Sequence, residues 1–288
     1  MRICSLLPSA TEIVGALGLA SALVGVSEEC DFPPEVRGLP VVSASRVDTR
    51  SLAGDEIEKA VRDAVRDGRT LYALDAELLE ALEPDLILTQ DLCAVCAVSS
   101  GEVGELCATG ARTLALDAHS LGEVGDRVVE LAQVLGVEER GLALASAMRE
   151  RLEAISARVQ AGDRRGVCVA EWLDPPYAAG HWVPEMVELA GGRELLGTAR
   201  GASYATTWEA IRELHPELVI AAPCGYDHER AAREAALPDL GCRVVAVDAN
   251  AYYARPAPRL VDGVAQLAFL IHPELVEDPG LPYVELQR

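Results

Sequence analysis

Lysine is almost missing from this 288-residue chain: of 25 basic residues only Lys59 is lysine, placed among Glu56, Glu58 and Asp63 as on a solvated helix face. That leaves no good candidate for a Schiff-base or phosphate-loop lysine. Large rings are scarce too, with two Phe and three Trp, so Leu, Val, Ile and Ala must fill the core that a 50% hydrophobic content supplies. Positive charge is outnumbered, 46 acidic residues against 25 basic, for a formal net charge of −21. Such a surface repels phosphate backbones and anionic lipid, which puts nucleic acid and membrane surfaces at the bottom of the partner list. No apolar run approaches the ~20 residues of a bilayer span; the stretch from Leu260 to Ile271 is broken by Asp262, Gly263 and Gln266. G-x-S-x-G, G-x-x-x-x-G-K-[ST] and H-E-x-x-H are all absent, and Gly15 and Gly18 do not make a dinucleotide fingerprint. No catalytic residue is expected. Nor does a basic-then-apolar leader precede Met1-Arg2-Ile3-Cys4. The expectation is a cytoplasmic chain whose eight cysteines are core residues, metal ligands or redox groups rather than disulfide staples.

Short apolar runs alternate with helical patterns from end to end, which argues an α/β fold with mainly parallel sheets. Strands are expected at Arg2-Leu7, Ala22-Val26, Asp85-Thr89 and Arg112-Leu116, then at Gly166-Glu171, Glu217-Ala221 and Cys242-Val247. Between these sets, Leu121 to Gln160 has no proline, and Leu142, Ala145, Met148, Leu152 and Ile155 recur at helical spacing. The reading is an N-terminal lobe over 1–120, a connecting segment over 121–161 with one long bridging helix, and a C-terminal lobe over 162–288. Both lobes would be Rossmann-like, with a ligand cleft between them.

An internal repeat supports the division. Leu82-Glu83-Pro84-Asp85-Leu86-Ile87-Leu88 and Leu214-His215-Pro216-Glu217-Leu218-Val219-Ile220 match at a constant offset of 132 residues (82 to 214). Each reads as a helix stopped before proline, then an acidic residue, then a buried strand. Ser9-Ala10-Thr11-Glu12 fits a capping box, and Thr206-Thr207-Trp208-Glu209 has the same form.

Two segments concentrate unusual chemistry. Gln90-Asp91-Leu92-Cys93-Ala94-Val95-Cys96 places a C-x-x-C directly after a strand, and Cys30 follows another strand at the same edge. Thiols at this spacing can hold a soft metal, so Cys30, Cys93 and Cys96, with His181 as a fourth ligand, form a candidate zinc or iron-sulfur site. Two other readings stay open: a ligand-contacting thiol cluster without metal, and plain loop packing. Cys224 is a further loop thiol, Cys107 is ambiguous, and Cys4, Cys168 and Cys242 fall in expected strands and read as core. The second segment, Glu171 to Trp182, spends Trp172, Tyr177 and Trp182 on one proline-stiffened loop. Rings gathered beside a cleft suit a large flat ligand, although each could instead pack the loop on its own lobe. His119, His215, His228 and His272 stand alone, with His215 and His272 structural at proline joints.

Several motifs in order resemble a known family. Leu7-Pro8-Ser9-Ala10-Thr11-Glu12, Val24-Gly25-Val26-Ser27, Asp31-Phe32-Pro33-Pro34 and Leu39-Pro40-Val41-Val42 are similar to the opening of periplasmic binding proteins for vitamin B12, iron siderophores and haem. Pro84-Asp85-Leu86-Ile87-Leu88, Asp174-Pro175-Pro176-Tyr177 and Glu188-Leu189-Ala190-Gly191-Gly192 continue the likeness, which runs on to Pro216-Glu217-Leu218-Val219-Ile220 and is strongest toward the cobalamin-binding members. The resemblance implies two α/β lobes joined by a rigid helix, a corrinoid or other large metal chelate as ligand, and an ABC transporter as partner. By similarity, ligand contacts would come from Pro8, Ser9 and Ala10, from Asp31 and Phe32, from Gln90, Asp91 and Leu92, and from Trp172, Tyr177, His181, Ser203 and Tyr204. Exported members carry a leader or a lipid-anchor cysteine, so a periplasmic place is expected only if a leader was removed. The rival expectation is a cytosolic metal or redox protein built on the thiols.

Overall fold

A computed structural model of the chain describes residues 1–67, 70–91, 98–106 and 110–287. These form two compact units: residues Met1–Asp117 with Asp126–Ala145, and residues Ala118–Gly125 with Ser146–Arg288.

The first unit is built on β1 (Ile3–Ser5), β2 (Leu23–Ser27), β3 (Val41–Ser45), β4 (Tyr72–Leu74), β5 (Leu86–Thr89) and β6 (Arg112–Ala115), in the sheet order β4-β3-β2-β1-β5-β6. Every neighbouring pair is parallel except β3 with β4. Cys4, Leu6, Val42, Leu79 and Ile87 pack together as its core. Gly25 is required there, since a Cβ would stand 2.8 Å from Leu82 Cδ1 and 3.0 Å from Cys4 Sγ. Burial of Cys4 pushes its thiol up to about 11, as suits an inert core cysteine.

The second unit carries β7 (Gly166–Leu173), β8 (Pro176–Ala178), β9 (Arg193–Glu194), β10 (Tyr204–Ala205), β11 (Leu218–Ala221), β12 (Arg243–Val247) and β13 (Tyr283–Gln287). Its order is β10-β8-β7-β11-β12-β13, with β9 also on β7. Over the two sheets together the pairing is mainly parallel, as expected, and the second sheet holds most of the exceptions. Only β7-β11, β11-β12 and β7-β9 are parallel, while β8, β10 and β13 pair antiparallel. The reason is chain length: Asp174-Pro175 alone joins β7 to β8, and so short a link permits only a hairpin. Cys168, Ile211, Val219 and Val244 make the core, with Cys242 and Trp208 packed against it.

The segment 121–160 is two helices, Leu121–Val134 and Glu138–Val159, parted at Gly136, whose φ of 72° is the left-handed stop a helix end favours. The boundary between units falls inside the second helix, after Ala145. Its buried face also differs from the expected one: Met148, Ile155 and Val159 are buried, whereas Leu142 is exposed. Within the first unit, Gly141 of this helix lies so close to Ala132 that a Cβ would stand 2.3 Å from Ala132 Cβ.

The repeat extends further than its two motifs. The helices Ala76–Ala81 and Trp208–Glu213, the strands β5 and β11, and the starts of β4 and β10 all keep the 132-residue offset. So do the caps, where Asp75 accepts from Leu78 N and Thr207 from Ala210 N. So do two non-glycine residues in left-handed conformation, Glu83 (φ 43°) and His215 (φ 49°), each just before the proline. Two caps depart from expectation. The first helix, Pro8–Ala16, has Leu7 at its N-cap and no side-chain cap; proline at its first position needs no N–H partner, and Ser9 already lies inside the helix. Thr207, rather than Thr206, caps the later helix.

Candidate ligand-binding site

In the first unit, β2, β1 and β5 are adjacent and parallel, so the segments after them meet at one carboxyl edge of the sheet. Open α/β sheets bind ligands along this edge. Pro8, Ser9 and Ala10 follow β1, Asp31 and Phe32 follow β2, and Gln90 and Asp91 follow β5. Their exposures differ. Ser9, Ala10 and Gln90 are buried, whereas Phe32 is 38% exposed, one of the few large apolar side chains open to solvent. Asp91 has structural work: its carboxylate accepts from Ser100 N (2.8 Å) and Ser100 Oγ (2.7 Å) at the start of the helix Ser100–Leu106. Cys30 is buried with its Sγ 3.0 Å from Thr11 Oγ1. Leu92, Cys93, Cys96 and Cys107 lie outside the described residues.

The second unit draws together Trp172, Tyr177, His181, Ser203 and Tyr204. Trp172 and Tyr177 are cross-strand partners on β7 and β8, whereas Tyr204 pairs with Ala178, the next residue of β8, and so lies on the other face of the sheet. The turn at 180–181 and the turn at 200–203 are sewn to each other: His181 N donates to Gly201 O (2.7 Å) and Arg200 N to His181 O (2.8 Å). A Cβ on Gly180 would stand 2.5 Å from Ser203 N, so only glycine permits the approach. His181 itself holds a left-handed backbone, φ 53°. Its Nδ1 is buried with no hydrogen-bond partner among the described residues. Burial, and secondarily the nearby His119, hold His181 below the usual imidazole range and so favour the neutral ring.

Four residues emerge here that sequence reasoning did not place. His119 is not alone: its ring centroid lies 5.9 Å from that of His181. Glu123 pairs with Arg200, and its other oxygen accepts from His119 N (2.7 Å), tying the segment Ala118–Gly125 to the same loops. Tyr226 is buried, edge-on to Trp172 at 5.4 Å, with the Arg230 guanidinium 3.8 Å over its ring. Glu171 accepts from Gly180 N (3.2 Å) and bonds the Ser203 side chain, while burial raises its carboxyl above the ordinary range. The signal for Glu171 was in view, a lone charge within the apolar strand Gly166–Leu173. Nothing in the sequence marked His119 or Tyr226. The alternative readings of Trp182 are resolved within its own unit: it is buried, and its Nε1 donates to Tyr253 O (2.7 Å), so it anchors the loop. His272 is fully buried between Gly191 O and Glu274.

Among the described residues, no group of three or more His, Cys, Asp or Glu side chains could hold a metal ion. Cys30 belongs to the first unit and His181 to the second. What the second unit does bring together is the Trp172–Tyr177 cross-strand pair, with Tyr226 edge-on to Trp172, and the His119–His181 imidazole pair beside the tied turns.

The family described as periplasmic binding protein matches residues 3–238, and the chain belongs to it. It is 25% identical to the uncharacterized ABC transporter substrate-binding lipoprotein YvrC of Bacillus subtilis (strain 168), over 96% of this chain and 82% of that protein. It is also 25% identical to the vitamin B12-binding protein of Vibrio cholerae, over 92% of this chain and 87% of that one. A periplasmic haem binding protein from Pseudomonas aeruginosa superposes with a TM-score of 0.73 at 22% identity, covering 100% of this chain and 98% of that one. The periplasmic vitamin B12 binding protein BtuF of Vibrio cholerae does so at 0.66 and 23%, covering 95% of this chain and 98% of that one. These superpositions show the shared two-sheet α/β fold. No helix among the described residues is long and apolar enough to cross a membrane. The cytoplasmic expectation, and the zinc and iron-sulfur expectations, find no support in these relatives.

Proposed function

We propose that this chain is the substrate-binding component of an ABC transporter, acting outside the cytoplasm, and that its cargo is a corrinoid such as cobalamin. Three things support a large planar metal chelate as cargo. The family is one; the vitamin B12-binding and haem-binding relatives are another. The third, which carries the reading, is the placing of Trp172 and Tyr177 as cross-strand partners, with His181 on the turn after β8, in a chain with so few large rings. Aromatic faces give a planar ligand large contact area at little conformational cost. On the first unit, the proposed ligand contacts are Pro8, Ser9, Ala10, Asp31, Phe32, Gln90, Asp91 and Leu92. The chain's part is binding, with no bond made or broken.

The test is a titration of purified protein with cyanocobalamin, dicyanocobinamide, hemin and a ferric hydroxamate, followed by tryptophan fluorescence and calorimetry. One-to-one saturable binding, tightest for a corrinoid, is the expected result. Tighter binding of hemin would keep the binding role and replace the cargo. Absence of saturable binding by all four would overturn the reading.

A further inference from the structure

We propose that Glu171 is the positioning residue of the second unit's ligand surface, acting through the two turns that carry His181 and Ser203. This rests on the binding role proposed above and deepens it. Glu171 occupies an irregular place in β7. The pairing with β8 runs Ala170 to Ala178 and then Trp172 to Tyr177, so consecutive residues of β8 oppose residues two apart on β7, and Glu171 is the extra one. A bulge of this kind bends a strand and re-aims a side chain. Here it turns a carboxylate toward Gly180 N, 3.2 Å away, and toward the Ser203 side chain. Those two partners lie on the two turns that also bond to each other through His181 N to Gly201 O and Arg200 N to His181 O.

One buried acid thus fastens both turns, and the backbone on either side of it is fixed as well. Cys224 N donates to Glu171 O (3.0 Å) and Ala222 N to Ala170 O (2.8 Å), so the bulge cannot slide along β11. The next residue, Trp172, faces Tyr226. Glu171 acts through Gly180 and Ser203. It sets the separation of His181 and Ser203, and small errors in such a separation weaken binding because the loops must then be ordered by the ligand.

The experiment compares wild type, Glu171→Gln, Glu171→Leu, Ser203→Ala and Glu171→Gln/Ser203→Ala, each titrated with cyanocobalamin and with hemin well below its unfolding temperature. A charged acceptor of two hydrogen bonds is being removed, so Glu171→Leu is expected to weaken the tighter probe about tenfold or more. Glu171→Gln, which keeps one acceptor oxygen and the shape, should recover part of that loss. The effect of Ser203→Ala should shrink in the Glu171→Gln background, because the two groups act as one device. A residue that serves stability alone would lower the unfolding midpoint and leave the affinity of the folded protein unchanged. Wild-type affinity in both Glu171 variants, or an undiminished Ser203→Ala effect in the double variant, overturns the proposal while the binding role stands. Failure of the wild type to bind either probe overturns the positioning role together with a corrinoid or haem cargo.

Discussion

Replacing Gly180 with alanine puts the turn geometry to a quantitative test. The added Cβ would meet Ser203 N at 2.5 Å, Gly201 O at 2.6 Å and Ala202 C at 2.8 Å, all of them backbone atoms that cannot swing aside. The two turns must separate, which strains or breaks the hydrogen bond from His181 N to Gly201 O (2.7 Å) and that from Arg200 N to His181 O (2.8 Å). Overpacking of a tight site costs about 1–3 kcal/mol and a lost hydrogen bond about 1 kcal/mol, so with one of the two bonds broken the total is about 2–4 kcal/mol. For a folding unit of this size that lowers the midpoint of thermal unfolding by roughly 5–15 °C. Scanning calorimetry at neutral pH, beside Gly104→Ala as a control, measures it. Gly104 sits in the helix Ser100–Leu106 with nothing within 4 Å of its Cβ position, so that control should gain about 0.5–1 kcal/mol. A Gly180→Ala protein that melts with the wild type would refute the close approach of the turns, and with it the account of how His181 is held.

Further outcomes follow from the same unit. Glu194 is buried and raised to about 7, chiefly by burial, although Leu196 N (3.1 Å) and Gly197 N (3.0 Å) donate to its Oε1. A carboxyl whose folded value is raised favours the folded state below its unfolded value, and that benefit is lost as pH rises through the folded value. Glu194→Gln, which keeps the acceptor, should therefore exceed the wild type in stability above about pH 7, with the gap closing toward pH 4.5; a gap independent of pH would contradict it. Trp182→Phe deletes the bond from Nε1 to Tyr253 O inside a buried contact. It should cost about 1–3 kcal/mol in urea unfolding, and an unchanged denaturation midpoint would show that the bond contributes nothing.

The elements best legible in the sequence were those whose pattern is local. The seven expected strands are all present, because each is a short apolar run bounded by turn residues, and the offset of 132 residues survives in helices, caps and left-handed residues alike. The strands that escaped notice, β3, β4, β8, β9, β10 and β13, are short or half-polar. Val41-Val42-Ser43-Ala44-Ser45 has no alternation to read, and Arg193–Glu194 becomes a strand only because β7 lies beside it. The ring cluster was legible because Trp and Tyr are rare here. His119 could not be, since its proximity to His181 joins residues 62 positions apart through tertiary packing. The cytoplasmic expectation rested on the first residues alone, and those residues describe a strand start rather than a destination.

The repeat also explains why the aromatic surface belongs to one unit. At the 132-residue offset Tyr204 keeps its ring as Tyr72, but the strand beside the repeat differs: β7 pairs with β11 as β1 pairs with β5, which sets Cys168 against Cys4, Glu171 against Leu7 and Trp172 against Pro8. The scaffold is shared and the chemistry is not. In the first unit the turn after β3 is closed from within, by Asp48 accepting from Arg50 N, Ser51 N and Ser51 Oγ, which holds the Asp48 carboxyl below its usual range. In the second unit the turn has no such internal cap; it is closed from outside, by a carboxylate on β7 and by the backbone of residues 200–203. A turn closed by its own aspartate can keep its shape whatever surrounds it. A turn closed by a neighbouring strand and a neighbouring loop takes its shape from both, so a change in any of the three reaches His181. That dependence is what a ligand surface requires if its shape is to be set by the fold.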